Sequence, residues 1–390
     1  MAISRAERVL SNRLIRTSAF VLCSVLPAMF FCAACGAPGE PTPPSPPIPA
    51  AVTDLVARQS GDGVLLTLTL PTRTVTNERL TEPPAVEIFR GAIKPDGKPD
   101  NKSFRLVYTL PGALLDTYTN EKHIQFKDPI APEEIQARPG ALLAYRVRTR
   151  AAKKRDSADS NTATAKVFPV PERITRVDAK VTEGAIELGW GAPKKTSAGA
   201  TLDGLTGYRV LRGEIDPASA EEAAHDIAQA KWKSPLTLAA PAPENSYRDA
   251  LFEFGKTYVY VVRSVALTPE GPVESDDSAQ AIVTPRDTFP PAPPQNVVAV
   301  VTTPSGESPS VDLSWSINLE NDLAGYRVYR SDTEDARGRL LTTDLLPAPA
   351  YRDMSVQQGH PYWYSVTAVD RAGNESPPTT LTADLTQLSH

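Results

Sequence analysis

The chain runs out of cysteine early: Cys23, Cys32 and Cys35 are the only three among 390 residues. Everything beyond them must fold without a disulfide or a thiolate metal site, on hydrophobic burial alone. Histidine is nearly as scarce. His123, His225, His360 and His390 are scattered, and none sits in a His-x-x-His, His-Glu-x-x-His or Cys/His arrangement, which excludes the usual metal-ligand spacings. Also missing are a Gly-x-Ser-x-Gly nucleophile elbow, a complete phosphate-binding loop and a dinucleotide fingerprint. The acid pairs Glu133-Glu134, Glu221-Glu222 and Asp276-Asp277 are adjacent in sequence, so they do not face one another as general acid and base, and they read as solvated surface. No catalytic, cofactor-binding or metal-ligating residue is expected, and the chain reads as a non-enzyme. Positive charge is short as well. The net charge is −5; four arginines against Glu7 put +3 in the first sixteen residues and leave −8 for the rest. Such a body suits nucleic acid poorly, because that affinity depends on neutralising phosphates.

What is present begins with the leader. Arg5, Arg8, Arg13 and Arg16 precede an apolar run over 17–34, broken only by small polar residues and Pro27. That is the charged-then-apolar order of a secretory signal. The run closes on Cys32-Ala33-Ala34-Cys35-Gly36, which resembles the lipobox of bacterial lipoproteins, where two small residues precede a cysteine that becomes diacylated. Cys32 stands where that family usually has leucine. The resemblance implies a signal peptide over 1–34 and lipid attachment, palmitate among the acyl chains, at Cys35. An uncleaved anchor is one alternative, since about 18 apolar residues can just span a bilayer; an ordinary secretory signal is the other. All three place the body outside the cytoplasm, and with Gly36 giving no inner-membrane retention signal, a Gram-negative envelope would carry the protein at its outer membrane. Residues 36–50 hold seven prolines in fifteen positions. With Cys35 they read as an anchor and tether over 35–50, a polyproline II spacer on the order of 45 Å long at ~3.1 Å per residue.

Internal repetition organises the rest. VEIFR ending at Arg90, YRVLR ending at Arg212 and YRVYR ending at Arg330 recur with their arginines 122 and 118 residues apart. Before each lies a string with every other residue apolar, at 64–68, 186–190 and 311–315. After each come Phe126-Lys127-Asp128, Tyr247-Arg248-Asp249 and Tyr351-Arg352-Asp353, followed by alternating runs at 143–149, 258–264 and 362–368. Alternation between Gly, Pro, Asn and Asp turns predicts half-buried strands, and strands this short and regular predict an all-β sandwich of about 100 residues per copy.

The third copy resembles a fibronectin type III domain. Trp315 falls at the family's core tryptophan of the second strand, and Gly325-Tyr326-Arg327-Val328-Tyr329-Arg330 matches its third strand. Tyr362 holds the tyrosine-corner position, and Ala368-Val369-Asp370-Arg371-Ala372-Gly373-Asn374-Glu375-Ser376 is close to the family's strand-to-strand turn. The second copy keeps Trp190, Tyr208 and Tyr258. The first has Leu68 for the tryptophan and Leu143 for the corner tyrosine, and follows on spacing: Leu68 to Arg90 and Trp190 to Arg212 both span 22 residues, against 15 from Trp315 to Arg330. The resemblance implies three tandem immunoglobulin-like sandwiches over 51–168, 169–285 and 286–386. An Arg-Gly-Asp triplet, used for receptor binding by some animal members, is absent.

Two copies carry an extra excursion between the third-strand arginine and the later aspartate, 38 and 37 residues against 23. In the second it predicts a helix with Asp216 as N-cap, Pro217 next and residues 218–232 following, its face of Ala224, Ile227, Ala228 and Lys231 packed on the open sheet edge. In the first, Lys94-Pro95-Asp96-Gly97-Lys98-Pro99-Asp100 predicts an exposed loop. Lys153-Lys154-Arg155 reads as a hairpin tip, and Arg90, Arg212 and Arg330 as structural residues with stems laid across the sheet surface. Prolines at both junctions predict a semi-extended series of modules. The expected function is that of a non-enzymatic cell-envelope lipoprotein: a spacer and a protein- or glycan-interaction surface, bound to the membrane by its acyl anchor. An accessory component of a surface polysaccharide-degrading or binding system is the alternative. A glycan-binding face would show exposed aromatics in a row, and only Trp232 and Trp363 are tryptophans not assigned to a core strand position.

Overall fold

The computed structural model describes residues 47–303, 307–334 and 336–386. The expected signal peptide, Cys35 with its lipid, most of the tether and His390 lie outside the described residues. No helix among those described is long and apolar enough to cross a membrane.

The alternating strings form strands with one inward face. Val64, Leu66 and Leu68 in the strand Gly63–Leu68 are buried, as are Ile186, Leu188 and Trp190 in Ala185–Trp190 and Val311, Leu313 and Trp315 in Ser310–Ser316. Each buried side chain of this size contributes about 1.5–3 kcal/mol. In the first sandwich, Val56–Ser60, Gly63–Leu68, His123–Pro129 and Thr119–Asn120 form one sheet in that order. Arg105–Leu110, Ala85–Ala92, Ala141–Ala152 and Arg155–Asp156 form the other, with Ala163–Val167 also pairing Ala141–Ala152. The second sandwich sets Val177–Thr182, Ala185–Trp190 and Ser246–Asp249 against Trp232–Ala242, Leu205–Ile215, Thr257–Thr268 and Gly271–Glu274, with Ala281–Val283 beside Thr257–Thr268. The third sets Gln295–Thr302, Ser310–Ser316 and Ala350–Asp353 against Arg339–Leu340, Leu323–Ser331, Pro361–Asp370 and Thr379–Asp384. Every pairing is antiparallel. The chain is all-β: tandem immunoglobulin-like sandwiches of the fibronectin type III kind.

The landmark residues take core positions. Trp190 meets Tyr208 edge-on at 5.2 Å, and Trp315 meets Tyr326 at 5.1 Å, the geometry favoured by the ring quadrupole. Leu68, buried, fills the same place in the first sandwich. The corner tyrosines accept backbone hydrogen bonds from just upstream, Glu253 N–H to Tyr258 Oη at 3.0 Å and Gln357 N–H to Tyr362 Oη at 3.2 Å. Gly325 sits at a register shift in Leu323–Ser331, where a Cβ would lie 2.7 Å from the Leu346 carbonyl oxygen.

The excursion of the second sandwich departs from the expected helix. Asp216 does cap, accepting the Ala218 N–H at 2.9 Å, but the helical turns are Pro217–Ser219, Ala220–His225 and Ile227–Gln229. Asp226 breaks the helix: its backbone is extended, and its carboxylate caps the next turn at Ala228 N–H, 3.0 Å away. Ala223 is buried with Ala220 and Ile227 half-buried beside it, whereas Ala224, Ala228 and Lys231 are exposed. These residues pack on Ile215, Val259 and Ile282, so the helix covers the outer face of the five-stranded sheet. The edge belongs instead to Trp232–Ala242, whose two prolines and irregular register blunt it against further pairing.

Candidate functional site

Three side chains converge in every sandwich. Arg90, Arg212 and Arg330 are structural, as the sequence suggested, but instead of lying along their own sheet each reaches to the facing one. Arg90 pairs with Asp128 at 3.1 Å, Arg212 with Asp249 at 2.7 Å and Arg330 with Asp353 at 2.6 Å. The same carboxylate oxygen accepts a hydrogen bond at 2.8 Å from Tyr145, Tyr260 or Tyr364 respectively. Arg212 and Arg330 also cover the corner rings of Tyr258 and Tyr362, at 5.3 and 4.7 Å, a contact Leu143 cannot make. Burial alone would raise the pKa of Asp249 and Asp353, but the bonds from arginine, tyrosine and the following loop outweigh it and hold both below the ordinary carboxylate range. Burial and the facing carboxylate push the three tyrosines up, so they remain neutral donors. Each set is satisfied internally and closes its sandwich. Sequence repetition displayed the arginines and aspartates separately; their pairing crosses between sheets.

The histidines stay apart: His123, His225 and His360 are exposed in different sandwiches. Glu133-Glu134 and Glu221-Glu222 are exposed, as expected, but Asp276-Asp277 is half-buried and engaged. Asp276 pairs with Lys127 of the preceding sandwich, and Asp277 with Arg263 at 2.5 Å. Around them, Ser197 donates to Asp62 at 2.5 Å, Thr196 to Gln136 at 3.1 Å, and Lys166 pairs with Glu270 at 2.6 Å. Gln59 clasps the junction residue Phe168, donating to its carbonyl at 2.7 Å and accepting its N–H at 3.0 Å. Exposed ion pairs such as Lys166–Glu270 contribute ~0–1 kcal/mol each, so shape and neutral hydrogen bonds carry this contact. Gly61 shows the closeness: a Cβ there would lie 2.0 Å from Asp276 Oδ1.

The third sandwich bears a cleft on the outer face of its four-stranded sheet. Tyr329, Ser365 and Thr367 alternate with the core residues Val328, Tyr364 and Val366, so they point outward, yet they are buried. Arg337 accounts for part of that, lying over the Tyr329 ring at 4.3 Å and donating to its hydroxyl at 2.6 Å. Glu375 is the hub. Its Oε1 accepts from Tyr329 at 2.7 Å, from Thr367 at 2.8 Å and from Arg337, and its Oε2 accepts from Arg327 at 2.8 Å. Burial would raise its pKa, but these donors outweigh it and bring the carboxyl down to about 2. Beside this network opens a cleft of about 510 Å³ lined by Arg337, Trp363, Ser365, Glu375, Thr380 and Thr382. Trp363 is thus placed in a concave polar site. Trp232 is not: it lies in another sandwich, seated over Gly213, where a Cβ would come within 2.5 Å of its ring.

Asp287, Asp322 and Asp370 bring carboxylate oxygens within 4.8 Å of one another, a juxtaposition that histidine and cysteine spacing could not reveal. Asn374 bridges two of the three as a polar clamp. Its N–H and Nδ2 each donate to Asp370 at 2.8 Å, and Nδ2 reaches the Asp287 carbonyl at 3.3 Å, fastening the incoming linker to the turn.

The described residues thus form tandem fibronectin type III-like sandwiches, and the third carries this polar-aromatic recess. No family model matches the chain. A stretch of 151 residues, 37% of this chain, is 32% identical to exoglucanase B from Cellulomonas fimi and covers 12% of it. Two shorter stretches are similar to amylopullulanases: 36% identity over 91 residues in Thermoanaerobacterium saccharolyticum and 37% over 92 in Thermoanaerobacterium thermosulfurigenes. Each takes up 23% of this chain and covers only 6% and 4% of those proteins. Among solved structures, the chicken CNTN1 FN1–FN3 domains align over 86% of this chain and 98% of theirs, at 13% identity and a TM-score of 0.25. A two-domain fibronectin type III segment of chicken tenascin aligns over 55% and 99%, at 15% and 0.33.

Proposed function

We propose that this chain is a non-catalytic lipoprotein of the cell envelope, anchored outside the cytoplasm through acylated Cys35, whose sandwiches serve as spacer and as a protein- or glycan-interaction surface. The observation that carries it is the pairing of self-closed sandwiches with likeness to small stretches of much longer proteins. A segment amounting to 12% of an exoglucanase, or to 4–6% of an amylopullulanase, suits an accessory module better than a catalytic one. The exoglucanase and amylopullulanase activities of those proteins favour a second form of the same reading, an accessory component of a polysaccharide-degrading or binding system. Intact mass of the membrane-extracted protein tests the anchor. A mature chain beginning at Cys35 with added acyl mass, abolished by Cys35→Ala, is expected; an unmodified chain retaining residues 1–34 overturns it.

A further inference from the structure

We infer that the cleft beside Trp363 binds a neutral hexopyranose unit of a glycan chain. The inference rests on the interaction-surface reading above and names its ligand class. A pyranose ring presents an apolar C–H face and a rim of hydroxyls that both donate and accept. The cleft offers the complement. Trp363 supplies an aromatic surface, and aromatic faces are rigid, amphipathic contacts of low entropic cost. Around it stand the hydroxyls of Ser365, Thr380 and Thr382, each with one donor and two acceptor lone pairs. Among the described residues these three hydroxyls have no hydrogen-bond partner in the protein. Arg337 is held from behind by Glu375 and Tyr329, so its remaining N–H groups are preorganised at the rim.

Charge decides against ionic ligands. Glu334 and Glu375 line the cleft against the single Arg337, which disfavours a polyanion. The arginine, pinned over Tyr329, disfavours a cation. A volume of about 510 Å³ suits one or two sugar units rather than a folded partner.

The test is titration of the full-length chain, extracted in mild detergent, with maltohexaose and with cellohexaose, read by calorimetry and tryptophan fluorescence. Binding of at least one is expected, weakened roughly tenfold or more by Trp363→Ala and by Thr380→Leu, and unchanged by Trp232→Ala. Thr380 is exposed and outside the Glu375 network, so Thr380→Leu fills the cleft without disturbing the core and decides the matter if Trp363→Ala fails to fold. Binding that survives Thr380→Leu overturns the cleft assignment while leaving a glycan-interacting surface elsewhere on the chain. Failure of both hexasaccharides overturns the inference while leaving the proposed interaction surface standing, to be tested by its anchor and by other ligands.

Discussion

Arg330 and Asp353 join the two sheets of the third sandwich through a 2.6 Å ion pair whose carboxylate is only 2% exposed. A buried pair of this kind matters chiefly when broken, because the surviving partner is left charged in a dry setting. Asp353→Ala is therefore expected to destabilise the third sandwich by about 3–5 kcal/mol. Tyr364→Phe, which removes one donor to the same oxygen, should cost about 1–2 kcal/mol. Urea unfolding followed by tryptophan fluorescence measures both, and a loss below about 1 kcal/mol for Asp353→Ala would show that the clamp is idle.

Acid should act on the same sandwich through Glu375. Its folded pKa of about 2 lies below the ordinary value of 4.5, so the stabilisation it gives is complete above pH 4.5 and lost as pH falls toward 2. Glu375→Gln is expected to lower stability at pH 7 and to flatten the curve between those limits. A mutant curve parallel to the wild type through that window would contradict the assignment.

Gly61 leaves room for the Asp276 carboxylate to reach the first sandwich. Its φ is +55°, and any side chain there would run into Asp276. Gly61→Leu is expected to cost about 1–2 kcal/mol locally, from the left-handed backbone, and to part Lys127 from Asp276. Zero-length carbodiimide cross-linking with peptide mass analysis should find the Lys127–Asp276 bond in the wild type and lose it in the variant. Persistence of that cross-link would mean the contact does not depend on the glycine.

Asn374 secures the linker before the third sandwich. Asn374→Ala strips the buried Asp370 of its side-chain and linker-bridging partner, and a loss of about 1–3 kcal/mol is expected. Hydrogen exchange should rise around residues 286–292 as well as at the turn. Unchanged exchange in that linker would remove the clamp's bridging role.

The strands were legible because a period of two needs only near neighbours in sequence: Val64, Leu66 and Leu68 announce their face without knowledge of what covers it. Trp190, Trp315 and the corner tyrosines were legible through the family resemblance. What lay beyond reach depends on pairs distant in sequence. Arg337 and Glu375 are 38 positions apart in separate loops, and Lys127 and Asp276 are 149 apart in different sandwiches, so an acid pair that looks solvated in the sequence proves to be shared. Asp226 misled for a local reason. It resembles any polar residue on a helix surface, yet it caps a second turn and thereby ends the first.

The threefold Arg–Asp–Tyr clamp bears on how the molecule would answer a mechanical pull. Each clamp stitches one sandwich and shares no residue with the next, and no covalent cross-link beyond Cys35 backs it up. Tension between the ends is expected to open the modules singly, each rupture adding on the order of 300 Å of contour at ~3.3 Å per residue. Such an array is expected to lengthen in steps, each beginning where the ionic stitch at Asp128, Asp249 or Asp353 parts.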